Sequence, residues 1–345
     1  MKALLSAQPG KARALRLEDV PEPCPAPGEV VIDVVACGVN FPDALVIEDL
    51  YQFRPERPFA PGAEVAGVVA AVGPGVESPS VGDRVLAGVG FGGMAEKVVA
   101  IADRCHPIPP TMPFDVAAAF LMAYGTSHHA LRDRGRLERG NVVLILGAAG
   151  GVGLAAVELA VAYGARVIAA VSSREKADAA LAHGAEAALV YPTGPLDTAA
   201  ARQFSADIRH HAPNGVDIIY DAVGGDYAEP ALRTMAWDGR YLVVGFPAGI
   251  PRIPLNLPLL KGCSIVGVFW GEFVNREPAR FRRAIDEMID LYLSGALRPR
   301  VSGHFPLARG GEAIERLAAR QAIGKIVVTT DAWERLRDQE GKDHE

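Results

Sequence analysis

The sequence predicts an α/β protein in which a mainly β part precedes a doubly wound parallel sheet. Short apolar runs at residues 142–146 and 167–171 flank a glycine-rich turn, which is the pattern of a strand–helix–strand unit. Strand-like and helix-like segments then alternate as far as residue 270. Roughly the first 110 residues instead contain short strand-like runs separated by glycine and proline. At 345 residues the chain is long enough for two domains.

The N-terminal part is predicted to be a twisted β-barrel of short strands. The strand-like segments are residues 2–20, 30–39, 61–73 (a glycine-punctuated strand pair), 81–85 and 92–99. Residues 21–29 are rich in proline, which predicts an extended surface connection because proline neither continues a helix nor donates to a sheet. Three further prolines predict that residues 40–61 form a loop.

The rest of the chain alternates between helix and strand. A helix at residues 114–131 leads into the glycine-rich turn. The later strands are predicted at residues 188–191, 216–223, 239–246 and 264–270, and the helices at residues 176–183, 197–211, 227–236, 278–294 and 312–319. Residues 303–307 and 324–328 return to short-strand character, and the charged end from Asp331 is expected to fray. Six strands separated by helices predict a parallel doubly wound sheet.

The glycine-rich turn is the strongest functional signal in the sequence. Gly150 lets a ligand approach the backbone, and Gly153 lets the following helix pack closely on the strand, while Ala148 replaces the usual first glycine. Glycine clusters often mark ordinary turns, but a strand on each side favours a dinucleotide site. There the N-terminus of the helix offers unpaired N–H groups to a pyrophosphate.

The end of the second strand predicts which dinucleotide binds. Sites for NAD carry an Asp or Glu about 20 residues after the glycines, where it binds the ribose 2′-hydroxyl. This chain has Ser172 and Ser173 there, followed by Arg174 and Lys176. Two hydroxyls and two cations suit a 2′-phosphate, so NADPH is expected rather than NADH. The alternative is that this segment is only a solvated start of a helix.

Composition and charge exclude several classes of function. The formal net charge is −6 and no lysine–arginine cluster is present, which argues against a nucleic-acid partner. No apolar run approaches the 18 or so residues that indicate a membrane span. The first residues do not resemble a signal peptide, so a cytoplasmic protein is expected. The four cysteines contain no C-x-x-C pair and predict neither disulfides nor a zinc ribbon.

Together these features resemble the medium-chain dehydrogenase/reductase superfamily, and within it the zinc-free quinone oxidoreductases. The resemblance rests on the β-rich first part, the V-G-D-R-V motif containing Asp83, and A-A-G-G-V-G before a helix. It implies a GroES-like β-barrel catalytic domain (residues 1–125 and 266–345), a Rossmann NADPH-binding domain (residues 126–265) and a cleft for NADPH. It also implies a homodimer formed through edge strands such as residues 264–270.

The same resemblance bears on zinc. Zinc-containing members have a Cys after a strand, a His in a G-H-E signature and a further downstream ligand. Here Cys37 and Glu64 are present, but Ala63 occupies the histidine position and the downstream position near Met122 is apolar. Alanine cannot bind a metal, and a catalytic zinc site needs three protein ligands. No metal is therefore expected, which favours reduction of an electrophilic acceptor over oxidation of an alcohol.

The resemblance also implies individual site residues. Asn40, Asp43 and Tyr51 would line the acceptor site, and Phe53 and Phe91 would stack on a planar acceptor. Tyr51 is the best candidate for a proton donor or carbonyl-orienting hydroxyl, although a half-buried structural tyrosine is an equal alternative. The implied cofactor contacts are Thr126, Ala148, Gly150, Gly151, Val152, Gly153, Ser172, Ser173, Arg174, Lys176, Tyr191, Val223, Gly245, Phe246, Phe269, Trp270 and Lys325.

Three functions follow from this resemblance. The first is an NADPH:quinone oxidoreductase. The second is an NADPH-dependent reductase of 2-alkenals or enoyl-CoA thioesters, for which Arg54 and Arg57 near the acceptor loop would contact CoA phosphates. The third is a non-catalytic NADPH-binding protein. The sequence leaves open the physiological acceptor and whether one or two electrons reach it.

Overall fold

A computed structural model describes residues 1–342 of the chain, which divide into two compact units. The first unit contains Met1–Met122 and the chain from Pro299 onward, and the second is the continuous segment Ala123–Arg298. The sequence analysis placed residues 266–298 with the returning part of the first domain. By packing, these residues belong to the second unit.

The described residues form fifteen strands and twelve α-helices. The strands are β1 (Lys2–Leu5), β2 (Arg16–Asp19), β3 (Glu29–Gly38), β4 (Glu64–Val72), β5 (Arg84–Gly88), β6 (Lys97–Ile101), β7 (Cys105–Pro107), β8 (Val142–Leu146), β9 (Arg166–Val171), β10 (Ala187–Val190), β11 (Val216–Asp221), β12 (Met235–Val243), β13 (Ser264–Gly267), β14 (Val301–Pro306) and β15 (Lys325–Thr329). The helices are α1 (Phe41–Val46), α2 (Phe114–Ala118), α3 (Leu121–His128), α4 (Gly151–Ala162), α5 (Arg174–Ala182), α6 (Thr198–His211), α7 (Ala228–Leu232), α8 (Asn256–Lys261), α9 (Trp270–Arg276), α10 (Pro278–Leu293), α11 (Gly310–Ala318) and α12 (Asp331–Lys342).

Strand β3 is the centre of the first unit. The sheet order is β14-β15-β3-β4-β5-β7, and β6 also pairs with β3. The first half of β3 pairs with β6 and its last three residues pair with β15, while β4 runs antiparallel along its other edge. This central position explains the nearly continuous apolar run of β3, whose side chains Val30, Ile32 and Val34 are completely buried. The last strand of the chain thus completes a sheet that begins near the N-terminus.

The second unit contains the predicted doubly wound sheet. Its six strands are all parallel, in the order β10-β9-β8-β11-β12-β13. In chain order this is 3-2-1-4-5-6, the order of the Rossmann fold. The connections reverse direction between β8 and β11, and ligands of such sheets bind outside the carboxyl ends of the strands at that position. The predicted fold class is confirmed.

Helix α4 begins directly after the glycine-rich turn and packs closely against it. Gly147 has a positive φ of 73°, a conformation that side-chain-bearing residues rarely adopt. A Cβ added at Gly153 would lie 2.1 Å from the Gly147 carbonyl oxygen, so only glycine fits there. A Cβ at Gly150 would meet nothing closer than 3.6 Å. Helix packing therefore requires Gly153, whereas Gly150 has room for a methyl group.

The structure differs from the helix predicted at residues 114–131 and from the loop predicted at residues 40–46. The first is broken after α2 because the backbone leaves helical geometry at Ala119, and α3 is followed by a π-helical turn at His129–Arg134. Restarting the helix at Leu121 lets the Met122 N–H donate to the Glu64 carboxylate. Residues 40–46, predicted as loop, instead form α1, because Asn40 and Asp43 make a reciprocal capping box.

The remaining differences concern the ends of elements. Residues 61–73 contain the single strand β4 rather than a strand pair. Helix α7 ends at Leu232 because β12 already begins at Met235. The strand predicted as far as Trp270 ends at Gly267, and Trp270 begins α9. Residues 331–342 of the charged end form α12, and the rest of the segment predicted to fray lies outside the described residues. In residues 1–342 no helix has both the length and the apolar character needed to cross a membrane.

The glycine packing predicts effects of different size on stability for two similar substitutions. Gly153→Ala should lower the free energy of unfolding by about 3 kcal/mol, since the new methyl group meets backbone atoms that cannot move aside. Gly150→Ala should lower it by only about 1 kcal/mol or less, because its Cβ has room and only the helix cap is altered. Thermal unfolding followed by circular dichroism measures both. Equal melting temperatures for the two variants would contradict this account of the turn.

Candidate active site

The predicted cofactor residues of the second unit gather at the carboxyl edge of its parallel sheet. The glycine-rich turn follows β8, Ser172 follows β9, Tyr191 follows β10, Val223 follows β11, and Gly245 and Phe246 follow β12. Phe269 and Trp270 come after β13, and Thr126 lies on α3. A Cβ at Gly147 would lie 2.8 Å from the Val223 side chain, so the turn after β8 meets the loop after β11. The turn after β8 and the loop after β11 thus meet where the strand order reverses, and the other strand ends lie along the same edge of the sheet.

The N-terminus of α4 has the chemistry of an anion site. Gly150 is its N-cap and has no side chain to accept hydrogen bonds from the first turn. The first intrahelical bond from this turn runs from the Leu154 N–H to the Gly150 carbonyl, 2.8 Å away. The N–H groups of Gly151, Val152 and Gly153 precede it and belong to the set that a helix cannot satisfy internally. Because Gly150 has no side chain to cover them, these donors fit a pyrophosphate.

The residues that follow β9 present hydroxyls and cations, and the first of them is Ser172 rather than a carboxylate. Ser173 is the N-cap of α5 and accepts from the Lys176 N–H at 3.3 Å. The Lys176 ammonium donates to Ser172 Oγ at 3.1 Å. The exposed Arg174 guanidinium pairs with Asp178 at 3.2 Å, an ion pair that water screens strongly. This set of groups fits a phosphate monoester better than a neutral ribose hydroxyl.

Not all the predicted cofactor residues are equally accessible. The Tyr191 ring lies in the core, with its centroid 4.5 Å from the Tyr227 ring, and Val223 is also buried. Phe246 and Phe269 are exposed. The Trp270 indole rests against Gly125, and its buried Nε1 has no hydrogen-bond partner among the described residues. Tyr191 and Val223 therefore shape the edge by packing, whereas Trp270 keeps an unused donor.

A second cluster of polar residues lies in the first unit, where the sequence placed the acceptor site. The Asn40 N–H donates to Asp43 Oδ2 at 2.7 Å, and the Gly62 N–H donates to Asp43 Oδ1 at 3.1 Å. The Asn40 side-chain amide donates to Glu64 Oε1 at 2.8 Å. All three side chains are buried. Asp43 therefore fixes the turn into α1, and Asn40 links that turn to β4.

Lys325 lies in this cluster. Its ammonium donates to Glu64 Oε1 at 2.8 Å, to Asn40 Oδ1 at 2.7 Å and to the Val39 carbonyl at 3.0 Å. These three bonds use all three donors of the group. The other carboxylate oxygen of Glu64 accepts from the Met122 N–H at 2.8 Å. The structure thus brings Lys325 together with Asn40, although it was predicted among the cofactor contacts.

Burial shifts the acid–base properties of this cluster. Burial raises the pKa of Asp43 to about 6, although two backbone N–H groups and Lys325 lower it. Burial, followed by the charge of Asp43, raises the pKa of the half-buried Tyr51 hydroxyl. Burial and the carboxylates of Asp43 and Glu64 raise the pKa of the Cys37 thiol well above its usual value. Tyr51 therefore keeps its proton at neutral pH, and Cys37 stays a thiol.

Three aromatic rings of the first unit lie close to one another. The Phe53 and Phe91 rings are 47% and 40% exposed, with centroids 5.7 Å apart. Phe59 is buried and packs edge-on to Phe91 at 6.1 Å. Arg57 stacks on Phe59 and pairs with Asp49 at 3.0 Å, so this predicted CoA contact already has protein partners. Of the two arginines considered for CoA, only Arg54 has an exposed side chain.

Comparison with known proteins identifies the family. Residues 26–110 match the alcohol dehydrogenase GroES-like domain, and residues 151–290 match the zinc-binding dehydrogenase family. A quinone oxidoreductase-like protein 2 homolog of Nematostella vectensis is 38% identical over 306 residues, which are 88% of this chain and 82% of that protein. The chain belongs to the quinone oxidoreductase family of the medium-chain dehydrogenase/reductase superfamily.

Solved structures agree with this family. The quinone oxidoreductase of Thermus thermophilus, solved alone and with NADPH, has a TM-score of 0.82 and 34% identity, covering 95% of this chain and all of that chain (100%). The quinone oxidoreductase of Escherichia coli, solved with NADPH, has a TM-score of 0.87 and 26% identity over 95% and 100% of the two chains. The family and fold predictions are confirmed. The dinucleotide expected from Ser172, Arg174 and Lys176 is the one in both structures.

One of the matched families is named for zinc. In this chain, however, Ala63 stands where the zinc-containing members are expected to have their histidine ligand. Within residues 1–342, no group of three histidine, cysteine or carboxylate side chains is arranged to hold a metal ion. Cys37 packs between Gly62 and Gly93, since a Cβ at either glycine would lie within 3 Å of its sulfur (2.5 and 2.9 Å). The site therefore lacks the donors that a catalytic zinc needs.

The sequence analysis missed the role of Glu64 at the centre of the polar cluster. It noted this residue only as part of a signature and assigned it no partner. A signal was available, because Glu64 begins the apolar strand β4 and Lys325 begins the apolar strand β15. Charged residues in buried strands need partners of opposite charge. The sequence alone does not show that these two strands bring their charges to the same place.

The elevated pKa of Asp43 predicts a specific dependence of stability on pH. Between pH 4 and 6 the folded protein holds a proton on Asp43 that the unfolded chain has lost, so stability falls as the pH rises. The shift from 3.8 to about 6 corresponds to about 3 kcal/mol lost across that interval. Urea unfolding from pH 4 to 7 should show this loss in the wild type and not in Asp43→Asn. Parallel pH profiles for the two proteins would contradict the assignment.

Proposed function

We propose that this protein catalyses the NADPH-dependent reduction of quinones by hydride transfer, without a metal ion. The observation that carries the proposal is the chemistry at the ends of β8 and β9. There the uncapped N-terminus of α4 lies one strand away from Ser172, Arg174 and Lys176. These groups suit a dinucleotide with a pyrophosphate and an additional 2′-phosphate. The names of the relatives support a quinone as acceptor.

The second unit would hold the cofactor at three places. The N–H groups of Gly151, Val152 and Gly153 would bind the pyrophosphate, and Ser172, Arg174 and Lys176 the 2′-phosphate. Thr126, Gly245, Phe246, Phe269 and Trp270 would complete the predicted contacts, with the unused Nε1 donor of Trp270 offering a hydrogen bond. When bound, NADPH supplies the hydride, and the protein supplies orientation and protection from water.

The first unit would receive the acceptor near Tyr51. The Tyr51 hydroxyl, whose pKa is raised by burial, stays protonated and can donate to a quinone oxygen as negative charge develops there. The exposed rings of Phe53 and Phe91 offer faces for a planar acceptor. Asn40 and Asp43 fix the backbone that leads to Tyr51. In this arrangement Tyr51 is the catalytic residue, and Asn40 and Asp43 position it.

The reaction would be independent of zinc because the donor set is wrong for it. Ala63 offers no ligand, the Cys37 thiol resists ionisation, and Glu64 is already bound by an ammonium and an N–H group. A quinone is electrophilic without a Lewis acid, so its reduction does not need the charge that a metal would provide. The proposal therefore joins an electrophilic acceptor to a site built from hydrogen-bond donors and aromatic rings.

The alternative acceptors are 2-alkenals and enoyl-CoA thioesters. Arg57, one of two candidates for CoA phosphates, is held by Asp49 and stacked on Phe59, so it is poorly placed to bind them. This observation favours quinones over CoA thioesters. A protein that binds NADPH without reducing any acceptor is the third possibility, and the same experiment separates all three.

The experiment follows NADPH absorbance with benzoquinone, naphthoquinone and phenanthrenequinone beside 2-alkenals, acrylyl-CoA and crotonyl-CoA. We expect turnover with the quinones, unchanged after dialysis against a metal chelator. The Michaelis constant should be at least about tenfold lower for NADPH than for NADH, because a charge-assisted hydrogen bond contributes about 1.5–3 kcal/mol. Turnover of the thioesters alone would replace the proposal with the second function. NADPH binding without turnover would replace it with the third.

A pair of arginine variants provides the control for the cofactor. Arg174→Ala should raise the Michaelis constant for NADPH and leave that for NADH unchanged, since only NADPH carries the 2′-phosphate. Arg13→Ala removes another exposed arginine, in the first unit, and should change neither constant. Equal losses with both cofactors in Arg174→Ala would show that this residue does not recognise the 2′-phosphate.

We also propose that the protein is a cytoplasmic homodimer. The described free cysteines suit a reducing compartment. Strand β13 is an edge strand, and nearby Trp237, Leu259 and Leu260 are 81%, 79% and 71% exposed. Trp237 packs over Gly262 at the end of α8, so these side chains form one apolar face of the second unit. A second copy would cover this face and extend the sheet.

The dimer is tested by charge substitutions on that face. Trp237→Glu with Leu260→Glu should give the sedimentation coefficient of a single chain, because a buried carboxylate pair opposes association. The wild type should sediment as two chains. Val81→Glu, at an exposed apolar side chain of the first unit, is the control and should remain dimeric. Cell fractionation tests the compartment. A monomeric wild type would refute the proposed assembly.

A further inference from the structure

We infer that Lys325 is a positioning residue of the acceptor site, which it organises through Glu64 and Asn40, rather than a ligand of the cofactor. This inference rests on the proposed function and identifies how the site near Tyr51 is held in place. It also revises the cofactor contact that the family resemblance implies for Lys325.

The protein itself uses every N–H donor on the Lys325 ammonium. A lysine ammonium has three N–H donors and no acceptor. In Lys325 they point to Glu64 Oε1, Asn40 Oδ1 and the Val39 carbonyl, at 2.7–3.0 Å. The side chain is buried. No donor remains to bind a phosphate or hydroxyl of a cofactor unless one of these bonds is broken.

The buried charge of Glu64 needs the Lys325 ammonium to compensate it. Glu64 is 1% exposed, so its charge receives almost no stabilisation from water. It accepts hydrogen bonds from Lys325, from the Asn40 amide and from the Met122 N–H. Of these three donors, Lys325 alone carries a positive charge. Moving the ammonium toward a cofactor would leave a buried carboxylate uncompensated, which is strongly unfavourable.

The hydrogen bonds of Lys325 also hold the segment that leads to Tyr51. Asn40 is both the partner of Lys325 and the N-cap of α1, whose third residue Asp43 accepts the Asn40 N–H. The chain from α1 leads directly into the loop that contains Tyr51 and Phe53. Lys325 stands at the start of β15, whose later residues pair with the end of β3. The ammonium therefore anchors the start of the acceptor segment to a rigid sheet.

The experiment compares Lys325→Met, Glu64→Gln, Lys325→Arg and the double variant Lys325→Met/Glu64→Gln. The double variant removes both charges, so it should fold even if either single variant does not. Lys97→Met is the matched control, because it removes a lysine from ion pairs with the exposed carboxylates of Glu22 and Asp33, outside residues 39–51. Three quantities are measured: the dissociation constant for NADPH by fluorescence, the kinetic constants for a quinone, and hydrogen exchange of backbone amides.

A positioning role predicts that exchange and quinone turnover change strongly while NADPH binding changes little. In Lys325→Met and Glu64→Gln, exchange of the amides in residues 39–51 should speed up by about tenfold or more, while residues 147–153 stay unchanged. The kcat/KM for the quinone should fall by about a hundredfold, since misplacing a reacting group by about 1 Å has effects of that size. The NADPH dissociation constant should change by less than about threefold. Lys325→Arg should recover part of the loss.

The double variant gives the decisive comparison. If the two residues act as one unit, the double variant should lose no more kcat/KM than the worse single variant. A tenfold or greater rise in the NADPH dissociation constant in Lys325→Met, without the same rise in Glu64→Gln, would overturn the inference and restore Lys325 as a cofactor ligand. Unchanged exchange at residues 39–51 would also overturn it. If the wild type reduces no acceptor, the proposed function fails, while exchange and NADPH binding still decide the role of Lys325.

Discussion

The first unit depends on the compensation of one buried charge. Glu64 lies at the start of β4 with both carboxylate oxygens bound by the protein, and its partners come from β15, the turn before α1 and the first turn of α3. A carboxylate at this depth forces those segments to stay where their donors reach it. The break between α2 and α3 follows from this constraint, because the Met122 N–H is available only where a new helix begins. A single side chain thus sets the geometry of an acceptor site whose proposed chemistry it does not perform.

The second unit depends on the close packing of α4 against the glycine-rich turn rather than on a buried charge. Gly153 allows α4 to pack against the turn after β8, and the N-cap Gly150 has no side chain to satisfy the first N–H groups of the helix. The parallel sheet places the ends of β9, β11 and β12 along the same edge. The two units therefore offer complementary chemistry: fixed donors for an anion in one, and an aromatic and hydroxyl-bearing segment in the other.

Most of the second unit could be predicted from the sequence because its signals are local. The run of β8, the glycines and the start of α4 lie within a few residues of one another, and the absence of a carboxylate after β9 is a single-position observation. The ends of elements were less predictable. Trp270 continues an apolar run, but it begins α9 because β13 is short and ends at Gly267. The α1 helix was hidden by prolines, although Pro42 at its first turn is compatible with a helix.

The polar cluster could not be predicted because it depends on contacts between distant parts of the chain. Asn40, Asp43 and Tyr51 were expected to line the acceptor site, and the structure brings Asn40 and Asp43 into contact. The partner of Glu64 is 261 residues away, and no periodicity or motif connects the two positions. Arg57 was expected to face a ligand, but its pairing with Asp49 requires a turn at which Asp49 has a positive φ of 57°. These arrangements follow from the folded sheet and its loops.

Because Lys325 lies on β15, near the end of the chain, the order of synthesis constrains the order in which the two units fold. The second unit is one continuous segment, so all its residues have been synthesised before residue 299 is added. The first unit is split, and during synthesis its buried carboxylate has no cationic partner until β15 emerges. Folding of the N-terminal half must therefore remain incomplete for most of translation, while the middle of the chain is free to fold first. A messenger truncated shortly before codon 325 would yield a nucleotide-binding segment attached to a sheet that cannot close around its own charge.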